Sequence, residues 1–382
     1  MTEAVEQIAI WKSPLHETHA RLGATMLERD GWSVPESYGD VLFEYAEVRE
    51  NGAGIIDLSP RGRILVGGTE AVQFLNGLIT NDMKTLAANS WMLAAFPNVQ
   101  GRLIAGVRVV RLNDDQTGKH ACPTFLIDTE AATHERVLKT IERFTLAGDF
   151  RVTDITSQTA LLSVQGNKAT NVVRSVLGEG AAGIETSRAM ELSWHGETTA
   201  AVTVIRATHT SADGFDLIVN ADQAGTLWDA LHNAGARPVG YDAVEMLRVE
   251  AGLPRYGVDM DDTNVVTETG LDDAVSYNKG CYVGQEIIAR IKYRGHVAKK
   301  LSGLVFDPAQ KVAAGVAIKS AEGKEIGRTT SVTYSPHLGR TIALGYLKYD
   351  YLAPGTGVKV IAGDLELSAQ VTELPFVRAT AP

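Results

Sequence analysis

Hydrophobic positions along this chain change period several times, and each change predicts an element. Leu15, His16, His19 and Leu22 recur at three- and four-residue intervals, a helical period that Pro35 then interrupts. Ile64-Leu-Val66 reads as a strand ending in Gly67-Gly68, and Ala71, Phe74, Leu75 and Leu78 follow as one face of an amphipathic helix. Residues 103–112 predict β structure around Val107, Val109 and Val110; 125–127 a short buried strand; and 132–144 a helix. Leu161–Gly166 followed by Ala169, Val172, Val173 and Val176 repeats the strand–turn–helix pattern, and Gly166-x-x-Ala169 echoes Gly68-x-x-Ala71. A third pass reads as a strand at 215–219 and helices at 224–234 and 244–250, before a polar, turn-rich stretch at 264–277. Beyond Lys299-Lys300, short β-like runs at 304–306, 316–318, 342–344 and 358–361 alternate with glycine and proline turns, the signature of a small barrel or sandwich.

The pattern predicts an α+β chain in three parts: 1–150 and 151–298 as two similar modules, each laying helices on a sheet, and 299–382 as a terminal β domain. A length of 382 residues gives ample core for this, and 45% apolar against 21% charged residues is ordinary globular composition. A net charge of -10 opposes binding to nucleic acid or an anionic membrane, so neither is expected as a partner. The two cysteines, Cys122 and Cys281, do not make a disulfide scaffold. Met1–Gln7 has no basic and apolar leader pattern, and a reducing cytoplasm is the simplest compartment.

The densest local signal is Lys279-Gly-Cys-Tyr-Val-Gly-Gln-Glu286. Gly280 and Gly284 bracket a thiol and a ring, while Gln285 and Glu286 open a helical pattern through Ile287, Ile288 and Ile291. A cysteine just ahead of a helix start with Lys279 nearby sits where a thiolate is favoured. A buried cysteine in a glycine-rich turn fits the same letters equally well. His16 and His19 fall short of the three or four ligands a metal site needs, so no metal is expected. The run Arg290, Lys292, Arg294, His296, Lys299 and Lys300 reads as a solvated face, or as a landing place for an anionic chain.

With Arg290, the Lys279–Glu286 segment resembles the signature of YgfZ-type folate-binding proteins, which serve iron–sulfur enzymes. The wider chain resembles the T-protein (aminomethyltransferase) superfamily at Leu15-His-x-x-His19, Ile56-Asp-Leu-Ser59, Thr80-Asn-Asp82, Val164-Gln-Gly166, Gly214-Phe-Asp216 and Leu247-Arg-Val-Glu-Ala-Gly252. The resemblance implies two linked ferredoxin-like portions around a central folate channel plus a C-terminal barrel. It implies tetrahydrofolate or a derivative as cofactor, and iron–sulfur enzymes or cluster-assembly proteins as partners. Cys281 becomes the functional thiol, and Asp216, Arg248, His209 and Tyr256 the cofactor-binding set. Asp216 stands where the superfamily places a glutamate against the pterin edge, and His209 where it often has tyrosine. Aminomethyltransferases also carry an acid after a paired-glycine turn; the matching stretch here, Val99-Gln-Gly-Arg-Leu-Ile-Ala-Gly106, offers Ile104 or Ala105. The sequence thus predicts a tetrahydrofolate-binding accessory protein, with a folate-dependent one-carbon transferase as the alternative. In that alternative Asp82, His209 or Glu286 would replace the lost acid.

Overall fold

The structure is a computed structural model that describes residues 10–112, 122–143, 145, 148–196, 198–307 and 310–378. Two antiparallel-rich sheets lie face to face, with helices on the outer side of each. The first has five strands, in the order Ser90–Pro97, Leu103–Arg111, Thr124–Thr129, Gly62–Gly67, Arg151–Asp154. Its strands alternate as a half-covered sheet should. Ile64, Val66, Val107, Val109, Phe125 and Ile127 point to the helices Ala71–Leu78 and Ala131–Glu142, while Val110 and Leu126 point the other way. The helix read over 132–144 ends at Glu142, and residue 144 lies outside the described residues.

The second sheet has six strands, in the order Ala189–His195, Thr199–Arg206, Gly214–Asn220, Thr159–Gln165, Gly54–Asp57, Arg237–Pro238. Leu162, Val164, Phe215 and Leu217 pack under the helices Ala169–Leu177 and Ala224–Asn233, and Leu161, Ile218 and Ile205 turn inward to meet Val110 and Leu126. The first sheet comes from one stretch, 62–154, but the second does not: Gly54–Asp57 precedes the first sheet in sequence yet pairs with Thr159–Gln165. The first sheet is thus an insert between strands of the second.

The α+β class and the small C-terminal barrel are both present. Six strands between Lys299 and Thr372 close into a barrel filled by Leu304, Phe306, Ile318, Leu347, Val358 and Val371. It docks on the helix Tyr241–Glu250, where Val249 meets Leu301, Ile342 and Leu344. Glu250, fully buried there, accepts from Tyr45 at 2.7 Å and from Ser335, and pairs with Arg49 at 2.8 Å.

One stretch departs from the helical reading of its letters. Among the described residues before Asp40 only His16–Arg21 is helical; Thr25–Arg29 and Trp32–Ser37 form a hairpin joined by Asp30-Gly31, both at positive φ. An Asp-Gly pair between strands is the turn such a hairpin needs. Pro35 sits inside the second strand beside a register shift, where a missing N–H costs little.

The paired glycines of the two strand–turn–helix units have one physical cause. Gly68 and Gly166 take φ of +119° and +125°, and a Cβ there would lie 2.1 Å from the Asp149 carbonyl oxygen and 2.7 Å from that of Gly52. Gly68→Ala and Gly166→Ala should each lower unfolding free energy by more than ~1 kcal/mol, through strain and collision together. Gly178→Ala, at φ +85° with nothing within 4 Å, should cost less in the same urea titrations.

Candidate functional site

Where the inner faces of the two sheets meet, charged side chains replace the apolar ones. Arg108 and Asp128 are cross-strand partners in the first sheet, and Asp216 projects from the second. Arg108 Nη2 lies 2.7 Å from Asp128 Oδ2 and 2.6 Å from Asp216 Oδ2, and Arg61 Nε donates to Asp128 Oδ1 at 2.7 Å. Arg108, Asp128 and Asp216 are all nearly or wholly excluded from solvent. The Nη2 contacts are ion pairs by distance without aligned hydrogen bonds, and Arg108 Nε has no hydrogen-bond partner. Burial pushes the Asp216 carboxyl up, but the charges of His209 and Arg108 outweigh it and hold the group well below the usual carboxylate range. Asp128 behaves alike: burial opposes, and Arg61 and Arg108 prevail.

Asp216 meets a cavity through His209, whose Nε2 lies 2.9 Å and 3.2 Å from its two oxygens. The cavity is walled by Arg61, Glu130, His209, Tyr241, Glu245 and Arg248, with Leu58, Pro60 and Val244 as its apolar part. Arg248 is held by Glu245, by Asp259 at 2.6 Å and by Ser331 Oγ at 2.6 Å, so its guanidinium is fixed in place. Burial raises the Glu130 carboxyl against the pull of Arg61 and of the Tyr256 N–H, which it accepts at 3.1 Å. Glu245 moves the other way: burial opposes, but Arg248, Arg255 and Arg29 take it down to about 2. Two carboxyls of one cavity are therefore set in opposite directions, an arrangement common where protons are handled.

Of the residues singled out in sequence, Asp216, His209 and Arg248 converge on this cavity, with Asp216 behind His209 rather than at the wall. Tyr256 reaches it only through its N–H, and its hydroxyl takes a hydrogen bond from Arg136 at 2.8 Å. Arg61, Arg108, Asp128, Glu130, Tyr241 and Glu245 escaped the sequence reading. Arg108 and Asp128 left one trace: a charge amid Val107, Val109 and Val110, and another beside Phe125–Ile127, on otherwise apolar strands.

The Lys279–Arg290 segment lies elsewhere. Lys279 Nζ donates to the carbonyls of Asn76, Ile79 and Asn81 at 2.7–2.8 Å, closing the end of helix Ala71–Leu78. Burial pushes that ammonium down to about 8, with Asp82 opposing, while three acceptors call for all three N–H groups of its charged form. Gly284, at φ +75°, abuts Gly101 so closely that a Cβ would lie 2.3 Å from the Asn98 carbonyl oxygen. Tyr282 is buried, whereas Gly280, Cys281, Glu286 and Arg290 are exposed; Gln285 is half-buried and begins the helix Gln285–Arg294. The exposed Cys281 thiol sets aside the buried-cysteine reading. His19 is fully buried between Asp57 at 2.9 Å and Tyr38 at 2.7 Å, a packed polar cluster. Among the described residues no three His, Cys, Asp or Glu side chains are grouped to hold a metal, and no helix is long and apolar enough to cross a membrane.

Two family models cover most of the chain: the GCVT N-terminal domain over residues 15–279, and the glycine cleavage T-protein C-terminal barrel domain over 299–378. The chain belongs to the glycine cleavage T-protein family. An aminomethyltransferase of Thermotoga neapolitana is 30% identical over 373 residues, covering 97% of this chain and 98% of that protein. One of Shouchella clausii is 32% identical over 376 residues, with 97% and 98% covered. The glycine cleavage system aminomethyltransferase T of Bartonella henselae has the same fold, with a TM-score of 0.86 at 24% identity over 96% of this chain and 98% of that one. Within this T-protein frame the stretch after Gly101 brings no acid. Ala105 is fully buried in the apolar cluster beneath the first sheet, and Ile104 packs against the same cluster.

Two outcomes test the ion chain and the lysine clamp. Asp216→Asn leaves Arg108 short of an anion inside the protein and should lower unfolding free energy by ~3–5 kcal/mol near neutral pH. Because the folded Asp216 pKa is depressed, its stabilisation is present above the unfolded value near ~3.9 and is lost as pH falls. The gap between wild type and variant in denaturant titrations should therefore narrow below about pH 4. Lys279→Met strands three carbonyls and should cost ~2–3 kcal/mol, while Cys281→Ala should leave stability within about 0.5 kcal/mol.

Proposed function

We propose that this protein binds a tetrahydrofolate in the cavity under His209 and Arg248 and transfers a one-carbon unit to or from it. The supporting observation is the cavity itself. It lies beside the junction of the two sheets, in a chain that matches named aminomethyltransferases along nearly its whole length. Its wall suits a ligand with a polar, hydrogen-bonding head and a flat apolar body: His209 and Glu130 offer polar atoms, and Leu58, Pro60 and Val244 offer packing. Asp216, enclosed and already paired, would act on the pterin edge through His209 rather than directly, with Arg248 beside it and Tyr256 anchoring Glu130.

The reaction would not be glycine cleavage in its usual form. With Ile104 and Ala105 where the family's acid belongs, no carboxylate is available there to stabilise a developing iminium or move a proton. A one-carbon transfer from a different donor fits a chain without that acid better. A second reading shares the same folate site: an accessory protein for iron–sulfur enzymes, of the kind the Lys279–Glu286 segment resembles. The exposed free thiol of Cys281, on the surface and placed for another protein, favours it.

Anaerobic calorimetry with tetrahydrofolate should give saturable binding to the wild type. Asp216→Ala should weaken it by about tenfold or more, and Cys281→Ala should leave it unchanged. Formation of methyl- or methylene-tetrahydrofolate from secondary and tertiary methylamine donors would identify the transferase. Loss of iron–sulfur enzyme activity in a deletion strain, rescued by wild type and not by Cys281→Ala, would identify the accessory protein. Absence of any tetrahydrofolate affinity in the wild type would defeat both.

A further inference from the structure

The buried ion chain ends at the cavity in a single ring, that of His209. Its Nε2 contacts both oxygens of Asp216, a carboxylate with no solvent exposure that is also paired to Arg108 at 2.6 Å. An ionised carboxylate accepts and does not donate, so in the neutral ring Nε2 keeps the proton that faces Asp216 and Nδ1 offers its lone pair to the cavity, while the imidazolium pairs with the carboxylate. No described residue bonds to Nδ1; the side chain is 22% exposed and lines the cavity. A histidine with one nitrogen fixed by a buried acid and the other open to a cavity is arranged to take up a proton.

Around His209 stand Asp216 and Arg108 behind the ring, and Arg29, Asp30, Arg61, Glu130, Tyr241, Glu245, Arg248 and Arg255 around the cavity. Of the wall carboxyls, Glu245 is held low by Arg248, Arg255 and Arg29 and Asp30 is exposed, whereas burial raises Glu130 and makes it the rival acceptor that E130Q tests.

We propose that His209, oriented by Asp216, is the proton acceptor of this cavity and serves the N5 amine of a bound tetrahydrofolate; the assignment rests on the folate reading above. The step balances as an exchange of N–H and carbon–heteroatom bonds. N5 forms a bond to the one-carbon unit of a donor that carries this carbon on nitrogen or sulfur. The carbon–heteroatom bond breaks with its electron pair going to the heteroatom. The N5 proton passes to His209 Nδ1, and the imidazolium returns it to the departing heteroatom.

The test needs only tetrahydrofolate, kept reduced under anaerobic conditions, and the full-length protein. The ring resonances of His209, assigned by their loss in H209Q, are titrated against pH with and without saturating tetrahydrofolate. Binding should move their midpoint by more than about 0.5 pH unit. Calorimetry in buffers of different ionisation enthalpy should show protons exchanged on binding in wild type and E130Q, and none in H209Q. Binding with an unmoved His209 titration, or a proton exchange that survives H209Q and disappears in E130Q, overturns the assignment while leaving the folate reading intact. No binding to the wild type overturns both.

Discussion

The contact on which the rest of the molecule depends is the buried bridge of Arg108 to Asp128 and Asp216. On the first sheet's side Arg61 and Arg108 outnumber Asp128 by one charge, and the second sheet brings the one missing anion in Asp216. Charge closes only when the two sheets are face to face. Each of these ions loses several kcal/mol of hydration, so the bridge adds little net stability over an apolar pair of the same shape. Its effect is on geometry: any slip of one sheet over the other leaves a buried ion unpaired, a penalty far larger than the loss of a few apolar contacts. Val110, Leu126, Leu161 and Ile218 supply the attraction between the sheets, and the ions fix how they mate.

That same bridge decides what the cavity can do. A free carboxylate at 216 would present two acceptor oxygens to a ligand. Paired to Arg108 and covered by His209, it presents an imidazole nitrogen instead. Arg108 neutralises the carboxylate beneath the ring, and the ring is the group at the surface of the cavity.

The fold was legible wherever a strand or helix had one apolar face. Gly62–Gly67 with Ala71–Leu78, and Thr159–Gln165 with Ala169–Leu177, carry their hydrophobic residues at clean periods, and the glycine between each pair marks a turn that admits no Cβ. The barrel announced itself through short runs between glycine and proline turns. The strand Ser90–Pro97 did not, because Trp91, Met92, Leu93, Ala94, Ala95 and Phe96 are one apolar run with no alternation to read. The pairing of Gly54–Asp57 into the second sheet was beyond local pattern altogether, since pairing partners a hundred residues apart leave no periodic mark. Of the site, motif resemblance reached Asp216, His209 and Arg248. It missed Arg108 and Asp128 for the same reason: each is defined by a partner on another strand.

The Lys279–Glu286 segment teaches a different lesson about dense motifs. Its letters invite a chemical reading, yet three of them hold the chain. Lys279 clamps three carbonyls at the end of a helix, Gly284 passes against Gly101 where no side chain fits, and Tyr282 is buried under the ammonium of Lys279 at 4.8 Å. A glycine packed against another glycine and a lysine with no spare N–H leave almost no room for substitution at these positions. Cys281 is not among them: it is exposed, and nothing in the packing requires a thiol at its position.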